Sequence, residues 1–198
     1  MVSCIVLSAG LSQRFGSPKA LAEIQNEKVI ECIQRMLLTT SVEEIIIVLG
    51  HESDQIKPFL LKHKRIRFVY NKDYNLGQTS SFKTGLAGVD PKASGIMLLP
   101  VDFPFINPQT VDQMINQFNT KKPLILIPMY QNKKGHPPIF SARLRNEFLE
   151  MDTSVGLNWM AKKYSTEAEY WEVNDAGVLK SFNTPEELRK IIDVPLSL

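Results

Sequence analysis

Short apolar runs alternate along this chain with longer stretches in which apolar residues recur at helical spacing. Most of the short runs are near-continuous in apolar residues, as expected for strands covered on both faces of a sheet. The predicted strands are residues 3–8, 44–49, 66–70, 95–100 and 124–129. The predicted helices between them are residues 29–40, 54–63, 79–89 and 108–119. This alternation predicts an α/β, Rossmann-like fold in three layers, built on a mostly parallel sheet with right-handed crossovers.

The last third of the chain is less regular. Residues 141–151, 156–164 and 185–192 are predicted to be helical, and residues 168–173 are predicted to form a strand. No internal repeat, low-complexity tract or flexible linker divides the chain. We therefore predict one domain over residues 1–198, with a nucleotide-binding half first and an acceptor-binding half second.

The charge balance excludes one class of partner. The formal net charge is only +2, from 23 basic and 21 acidic residues, whereas surfaces that bind nucleic acid usually carry a larger basic excess. The same sequence has neither the features of a signal peptide nor an apolar run long enough to span a membrane. Cys4 and Cys32 both lie in apolar segments, which predicts buried thiols in a reducing compartment. We expect a cytoplasmic protein that binds neither nucleic acid nor a membrane.

The loop after the first predicted strand combines small residues with two cations. Ser8, Ala9 and Gly10 allow the backbone to approach a ligand closely and to present N–H groups to phosphate oxygens. Arg14 and Lys19 follow on the same loop and can hold phosphate by charge. The spacing is neither that of a P-loop nor that of a dinucleotide fingerprint. Two solvated cations on an ordinary loop are the alternative, but their joint position after the first strand favours phosphate binding.

Residues 7–19 read L-S-A-G-L-S-Q-R-F-G-S-P-K. They resemble the signature L-x-(A/G)-G-x-(S/G)-x-R-(M/F)-G-x-x-K of the MobA/MocA-like NTP transferases, which act on the molybdenum cofactor. The resemblance implies a fold of the nucleotide-diphospho-sugar transferase type and a Mg²⁺ cofactor. It further implies that Arg14 and Lys19 contact the triphosphate and stabilise charge during transfer. The nucleobase and ribose would be bordered by Leu7, Ala9 and Gly10.

Asp102 follows a strongly apolar predicted strand, within the segment L-P-V-D-F-P. A carboxylate at a strand end can hold Mg²⁺, although a turn or cap residue before proline is the competing interpretation. The segment is similar to the metal motif (L/G)-x-D-x-P of the same family. The resemblance therefore implies that Asp102 is a Mg²⁺ ligand.

Residues 75–81, N-L-G-Q-T-S-S, lead into a predicted helix. Thr79, Ser80 and Ser81 could serve as helix caps or could receive the nucleotide together with free backbone N–H groups. The segment is similar to G-x-(S/G)-S-S of the cytidylyltransferase branch, whereas the guanylyltransferase branch usually has G-P-L-A-G there and L-A-G-G in its first loop. These differences favour CTP over GTP as the nucleotide substrate.

The segment K-K-G-H-P-P, residues 133–138, resembles the G-H-P segment of MocA-like proteins. A histidine between glycine and proline predicts a shaped, exposed turn. The two lysines beside it indicate either an anion-binding site or a basic turn that is only solvated. The resemblance implies that Lys134 and His136 contact the acceptor. Asp152 lies in a segment loosely similar to G-D-x-G-A-R and is assigned to the same acceptor site.

One position departs from the MocA-like pattern. Residues 181–188 read S-F-N-T-P-E-E-L, where many MocA-like chains have an aspartate that helps to hold Mg²⁺. Here the position is Asn183, which offers a neutral oxygen and is common in guanylyltransferases of the MobA type. By resemblance Asn183 is assigned to the metal site together with Asp102, while the same segment also caps the last predicted helix.

The resemblance implies transfer of CMP from CTP to the phosphate of molybdenum-molybdopterin, with a molybdoenzyme as a possible recipient of the product. The acceptor is already an anionic nucleophile, so no dedicated general base is required, and none is evident in the sequence. The alternatives are a guanylyltransferase or another small-phosphate nucleotidyltransferase of the same fold. A non-catalytic binder or chaperone of the cofactor is the alternative from a different class.

Overall fold

The computed structural model describes residues 1–193. Its strands are β1 (Val2–Ser8), β2 (Glu23–Ile24), β3 (Glu27–Lys28), β4 (Glu44–Leu49), β5 (Ile66–Tyr70), β6 (Gly95–Pro100), β7 (Ile125–Tyr130), β8 (Lys133–Lys134), β9 (Ile139–Ser141) and β10 (Ala168–Glu172). Its α-helices are α1 (Val29–Leu38), α2 (Ser53–Ile56), α3 (Gln78–Gly88), α4 (Pro108–Lys121), α5 (Arg145–Glu150), α6 (Asn158–Lys163) and α7 (Pro185–Asp193). The five strands predicted in the first two thirds are all present, with ends that differ by one residue at most.

Within the described residues, one sheet runs in the order β10-β7-β9-β6-β1-β4-β5, and β8 pairs with β7. Strand β1 is parallel to both β6 and β4, and β4 is parallel to β5. Strand β9 is antiparallel to β6 and to β7, so it is the inserted element in an otherwise parallel run. The prediction of a mostly parallel sheet is therefore confirmed.

Two apolar layers cover the sheet, because successive residues of a strand point to opposite faces. In β1, Cys4 and Val6 belong to one layer, whereas Ile5 and Leu7 belong to the other. The first layer includes buried residues of α1, α4 and α7, and the second includes buried residues of α3, α5 and α6. Helices thus lie on both faces, which confirms the three-layer α/β arrangement.

Two predicted helices are shorter than expected. The helix predicted over residues 54–63 is α2, which ends at Ile56 and continues as a 3-10 turn over Lys57–Phe59. Pro58 lies in that turn, and the ring of a proline removes a backbone donor and disfavours a longer helix. The helix predicted over residues 141–151 begins only at Arg145, because Ser141 ends β9 and a 3-10 turn covers Ala142–Leu144.

Strand β5 differs from the expectation of a strand covered on both faces. It is an edge strand, and the side chains of Phe68 and Tyr70 are 50% and 53% exposed. Its apolar composition matched that of a central strand, so the sequence pattern did not distinguish the two positions.

The two cysteines have different environments. Cys4 is fully buried in β1, and burial raises the pKa of its thiol. Cys32 is only half-buried, so the expectation of a buried thiol holds for Cys4 alone; both are free. Across residues 1–193, each helix is too short or too polar to cross a lipid bilayer.

Candidate functional site

A cleft of about 520 Å³ lies at the carboxyl ends of the central parallel strands. Leu7 of β1 is paired with Pro100 of β6, so the loops that follow these two strands emerge side by side. Ligands of open α/β sheets bind at this edge. The cleft wall includes five predicted residues of the first loop, namely Leu7, Ala9, Gly10, Arg14 and Lys19. It also includes Ser81, Asp102 and Asn183, which come from three other segments.

The first loop is held by a tight turn and by an aromatic anchor. Ser12 has a positive φ of 50°, and its backbone oxygen accepts hydrogen bonds from the N–H groups of Phe15 and Gly16. The Ser12 hydroxyl accepts a further bond from the backbone N–H of Lys19, at 3.2 Å. The ring of Phe15 packs against the buried Phe182, with centroids 5.5 Å apart. These contacts fix the path of the loop that carries Arg14 and Lys19.

Four side chains form a connected polar cluster at the cleft, which we call the cation cluster: Arg14, Lys19, Asp102 and Asn183. The Lys19 ammonium donates to Asp102 Oδ2 at 2.8 Å and to Asn183 Oδ1 at 3.0 Å. Arg14 Nη2 donates to the same Asn183 oxygen at 2.9 Å. The side chains of Lys19 and Asp102 are 15% and 21% exposed, so their ion pair is only partly screened by solvent.

Asn183 is positioned by the start of α7. The Thr184 hydroxyl accepts from the backbone N–H of Glu187, while the Glu187 carboxylate accepts from the backbone N–H of Asn183 at 2.6 Å. This reciprocal arrangement resembles a capping box, and Pro185 occupies the first turn of the helix. The segment therefore caps the helix, as the sequence predicted, and also directs the Asn183 oxygen toward two cations.

The oxygens of Asp102 and Asn183 converge on one position, since the Lys19 ammonium lies within 3.0 Å of both. Mg²⁺ prefers oxygen ligands and is commonly held by one or two carboxylates together with substrate phosphates. In the part of the chain that the structure describes, no three His, Cys, Asp or Glu side chains form a group suited to a metal ion. The donor set therefore fits a metal ion that brings phosphate oxygens with it.

The hydroxyls at the start of α3 are turned largely into the protein. Thr79 Oγ1 donates to the backbone oxygen of Val155 at 2.6 Å, and Ser80 Oγ donates to the backbone oxygen of Asp73 at 2.9 Å. Ser81 alone of the three predicted residues lines the cleft. In this structure Thr79 and Ser80 therefore tie the α3 terminus to neighbouring loops.

Several residues of the cleft wall were not predicted from the sequence. Tyr74, Asn75 and Gln78 line it and come from the segment after β5, and Gln13 comes from the first loop. Ser8, which the sequence placed in the phosphate-binding loop, also lines the cleft, and its buried hydroxyl has no hydrogen-bond partner in the described structure. Their position in the sequence could have identified them, because residues that follow the carboxyl ends of parallel strands are brought to one edge of the sheet.

His136 lies beside Asp102 and is half-buried, so the expectation of an exposed turn is wrong for this residue. Its ring is 4.5 Å from the ring of Phe103, and within residues 1–193 its buried Nδ1 has no hydrogen-bond partner. Burial lowers the pKa of His136, while the nearby Asp102 carboxylate acts in the opposite direction. The backbone N–H of His136 donates to Val178 at 2.9 Å, which holds the turn inward.

None of the three residues assigned to the acceptor, His136, Lys134 and Asp152, belongs to the cleft wall. Lys134 is exposed on β8, where its ammonium lies 4.3 Å from the ring centre of Tyr170 and donates to the phenol oxygen at 3.0 Å. Asp152 accepts from the backbone N–H of Ser154 at 2.8 Å in an exposed turn, and hydrogen bonds from Ser154 lower its pKa. The structure therefore places His136 near Asp102 but brings none of the three residues into the cleft wall.

The lowered pKa of His136 predicts a pH-dependent stability. An unfolded histidine takes up a proton near its ordinary pKa of 6.5, whereas the folded His136 takes one up only at lower pH. The free energy of unfolding should therefore fall as the pH is lowered from 6.5, with a slope from this group of at most about 1.4 kcal/mol per pH unit. Urea unfolding at pH 7.0 and 5.5 measures the change.

In the His136→Gln variant this slope should be smaller, because the titrating group is removed. His63→Gln is the matched control, since it makes the same substitution at an exposed histidine. Equal slopes in His136→Gln and in the unmodified protein would contradict the assignment.

A family model described as the MobA-like NTP transferase domain matches residues 4–168. A probable molybdenum cofactor guanylyltransferase of Geobacillus sp. strain WCH70 is 29% identical over 200 residues, covering 95% of this chain and 96% of the relative. The molybdenum cofactor cytidylyltransferase of Escherichia coli K12 is 22% identical over 190 residues, which cover 94% of this chain and 93% of the relative. The solved structure of a nucleotidyl transferase from Methanothermobacter matches with a TM-score of 0.82 at 21% identity. The match covers 98% of this chain and 96% of that protein.

Proposed function

This chain belongs to the family of MobA-like NTP transferase domains, and on that premise we propose that it transfers a nucleoside monophosphate to the phosphate of molybdenum-molybdopterin. Its fold is of the nucleotide-diphospho-sugar transferase type. The observation that carries the proposal is the cation cluster, in which two cations and one carboxylate meet at the mouth of a 520 Å³ cleft. That arrangement suits a polyphosphate, which needs both positive charge and a carboxylate for a bridging cation.

In the proposed reaction, a phosphate oxygen of the acceptor attacks the α-phosphorus of the nucleoside triphosphate. A new phosphorus–oxygen bond forms while the bond to the β-phosphate oxygen breaks, and pyrophosphate leaves with that electron pair. Lys19 and Arg14 are close enough to share the Asn183 oxygen, so both can offset charge on the leaving pyrophosphate. Mg²⁺ held by Asp102, with Asn183 as a further oxygen donor, would supply additional neutralisation of phosphate charge.

We assign CTP as the nucleotide. The assignment is supported by the Ser8-Ala9-Gly10 sequence of the first loop and by Ser81, all of which line the cleft. It is also supported by the E. coli cytidylyltransferase, which is similar along nearly the whole chain. GTP is the second candidate. It is favoured by the guanylyltransferase name of the Geobacillus relative and by Asn183, because asparagine at this position is common in guanylyltransferases of the MobA type.

We place the reacting phosphate of the acceptor beside Asp102 and His136. A neutral His136 ring adds no charge of its own, and the ring of Phe103, 4.5 Å from it, adds an aromatic surface that a pterin could contact. Lys134 and Asp152 remain proposed acceptor contacts outside the cleft wall. A molybdoenzyme that takes the product remains a proposed partner.

Thermal unfolding with CTP, GTP or ATP, each with and without Mg²⁺, tests the nucleotide assignment. A ligand present at one hundred times its dissociation constant, and bound only to the folded protein, stabilises it by about 2.7 kcal/mol. We expect CTP with Mg²⁺ to raise the melting temperature most. A larger effect of GTP would assign the protein to guanylyl transfer instead.

Release of pyrophosphate in the presence of molybdenum-molybdopterin then distinguishes an enzyme from a binder. We expect release only when nucleotide, acceptor and Mg²⁺ are all present. Stabilisation by both ligands without release of pyrophosphate would favour a cofactor chaperone and would contradict the proposed transfer.

A further inference from the structure

We propose that the Lys19 ammonium competes with the divalent cation for the oxygens of Asp102 and Asn183, so that this protein takes up metal only together with nucleotide. The proposal deepens the function proposed above and rests on it. It concerns the order of binding and the role of Lys19, in addition to any contact of Lys19 with phosphate.

The competition follows from the positions of three atoms. Lys19 Nζ lies 2.8 Å from Asp102 Oδ2 and 3.0 Å from Asn183 Oδ1, so the ammonium occupies the point on which both oxygens converge. Mg²⁺ approaches oxygen ligands more closely than an ammonium does, at about 2.0–2.1 Å, and would compete for the oxygen lone pairs to which Lys19 Nζ now donates. The metal and Lys19 Nζ therefore compete for the same pair of oxygens.

Charge acts in the same direction as this competition. Arg14 donates to the Asn183 oxygen as well, so the cation cluster contains two positive groups and a single carboxylate. The excess positive charge repels a second cation, and the partial burial of Lys19 and Asp102 limits screening by solvent. Asn183 contributes no negative charge to offset this repulsion, because its side chain is a neutral amide.

A nucleoside triphosphate would relieve both effects. Its phosphate oxygens offer the Lys19 ammonium another set of acceptors and neutralise Arg14, which also lines the cleft. The oxygens of Asp102 and Asn183 then become available to a metal ion that already carries phosphate ligands. Since coupling between two ligands is reciprocal, nucleotide strengthens metal binding and metal strengthens nucleotide binding by the same factor.

Binding of Mn²⁺ without any nucleotide tests the proposal, with the free Mn²⁺ signal in electron paramagnetic resonance as the readout. We expect weak binding by the unmodified protein and binding at least about tenfold tighter by Lys19→Gln, in which the competing charge is gone. The double variant Lys19→Gln/Asp102→Asn should lose the gain. Lys19→Arg, which keeps a positive charge at the site, should bind Mn²⁺ as weakly as the unmodified protein.

Lys64→Gln is the matched control, because Lys64 is an exposed lysine outside the cleft. Circular dichroism of each variant establishes that it is folded. Equal Mn²⁺ affinity in the unmodified protein and in Lys19→Gln, or no binding by either, would overturn the proposal. Failure of the proposed function is distinguished separately, since it would appear as an absent thermal response to every nucleotide.

Discussion

Replacement of Asp102 by asparagine is expected to lower nucleotidyl transfer on the order of a thousandfold while the protein remains folded. Asp102 is the one carboxylate of the cation cluster, and it lies directly beyond the end of β6, at the cleft. Loss of its charge removes the ligand proposed for Mg²⁺ and also releases Lys19 from its ion pair. Removal of a single preorganised electrostatic contact from an active site commonly costs about 10²–10³ in kcat.

The measurement is the rate of pyrophosphate release at saturating nucleotide and acceptor over a range of Mg²⁺ concentrations. Asp54→Asn provides a matched control, since the Asp54 side chain is 91% exposed and pairs with Lys57 on the surface. Thermal unfolding reports whether either variant has lost its structure. Full Mg²⁺-dependent activity in Asp102→Asn would remove Asp102 from the proposed metal site.

Replacement of Lys19 by alanine is expected to weaken nucleotide binding roughly 10- to 150-fold, which corresponds to the loss of about 1.5–3 kcal/mol from a charged hydrogen bond. The Lys19 side chain lies in the cleft wall and is only 15% exposed. If a phosphate replaced Asp102 as its partner, solvent would screen the attraction between the ammonium and the phosphate only weakly. Transfer should slow further, because Lys19 is also proposed to offset charge on the leaving pyrophosphate.

Isothermal titration with CTP measures the first effect, and steady-state kinetics measures the second. Lys64→Ala should alter neither quantity, because Lys64 is exposed and does not line the cleft. If the nucleotide affinity of Lys19→Ala equalled that of the unmodified protein, the lysine would retain only a structural role as the partner of Asp102.

These two variants also separate the proposals. Lys19→Ala should weaken nucleotide binding although removal of the same charge strengthens binding of Mn²⁺ alone. Asp102→Asn should weaken both metal binding and transfer. If Lys19 only stabilised the fold, its replacement would neither weaken nucleotide binding nor strengthen the binding of Mn²⁺ alone.

Local sequence patterns predicted most of the regular structure. The apolar runs of β1, β4 and β6 and the amphipathic spacing of α1 and α4 are short-range signals, so their bounds were predicted closely. Strand β9 was missed because its three residues follow Pro137 and Pro138, which predict a turn. Its neighbours β6 and β7 supply the hydrogen bonds that make it a strand, and no local pattern reports them.

The first loop was predicted as a phosphate-binding element from its own residues, because small side chains and two cations after the first strand suffice for that interpretation. The direction of individual side chains was not predictable in the same way. Thr79 and Ser80 have the composition of a ligand site, yet their hydroxyls bond to Val155 and Asp73 within the protein. His136 was expected on an exposed turn, but contact with Phe103 and Val178 draws it inward.

The sequence alone determined the order of the five main strands and four helices in the first two thirds of the chain, the class of fold, the family and the identity of the groups that carry charge at the cleft. Those properties depend on residue types and on spacings within a few turns of chain. Only the tertiary structure decided that Lys19 bonds both to Asp102, 83 positions away, and to Asn183, 164 positions away. The loops after β1 and β6 and the segment before α7 meet because parallel strand pairing and the packing of Phe182 on Phe15 bring them to one edge of the sheet. Contacts over such separations depend on how the whole core packs, which no short stretch of sequence encodes.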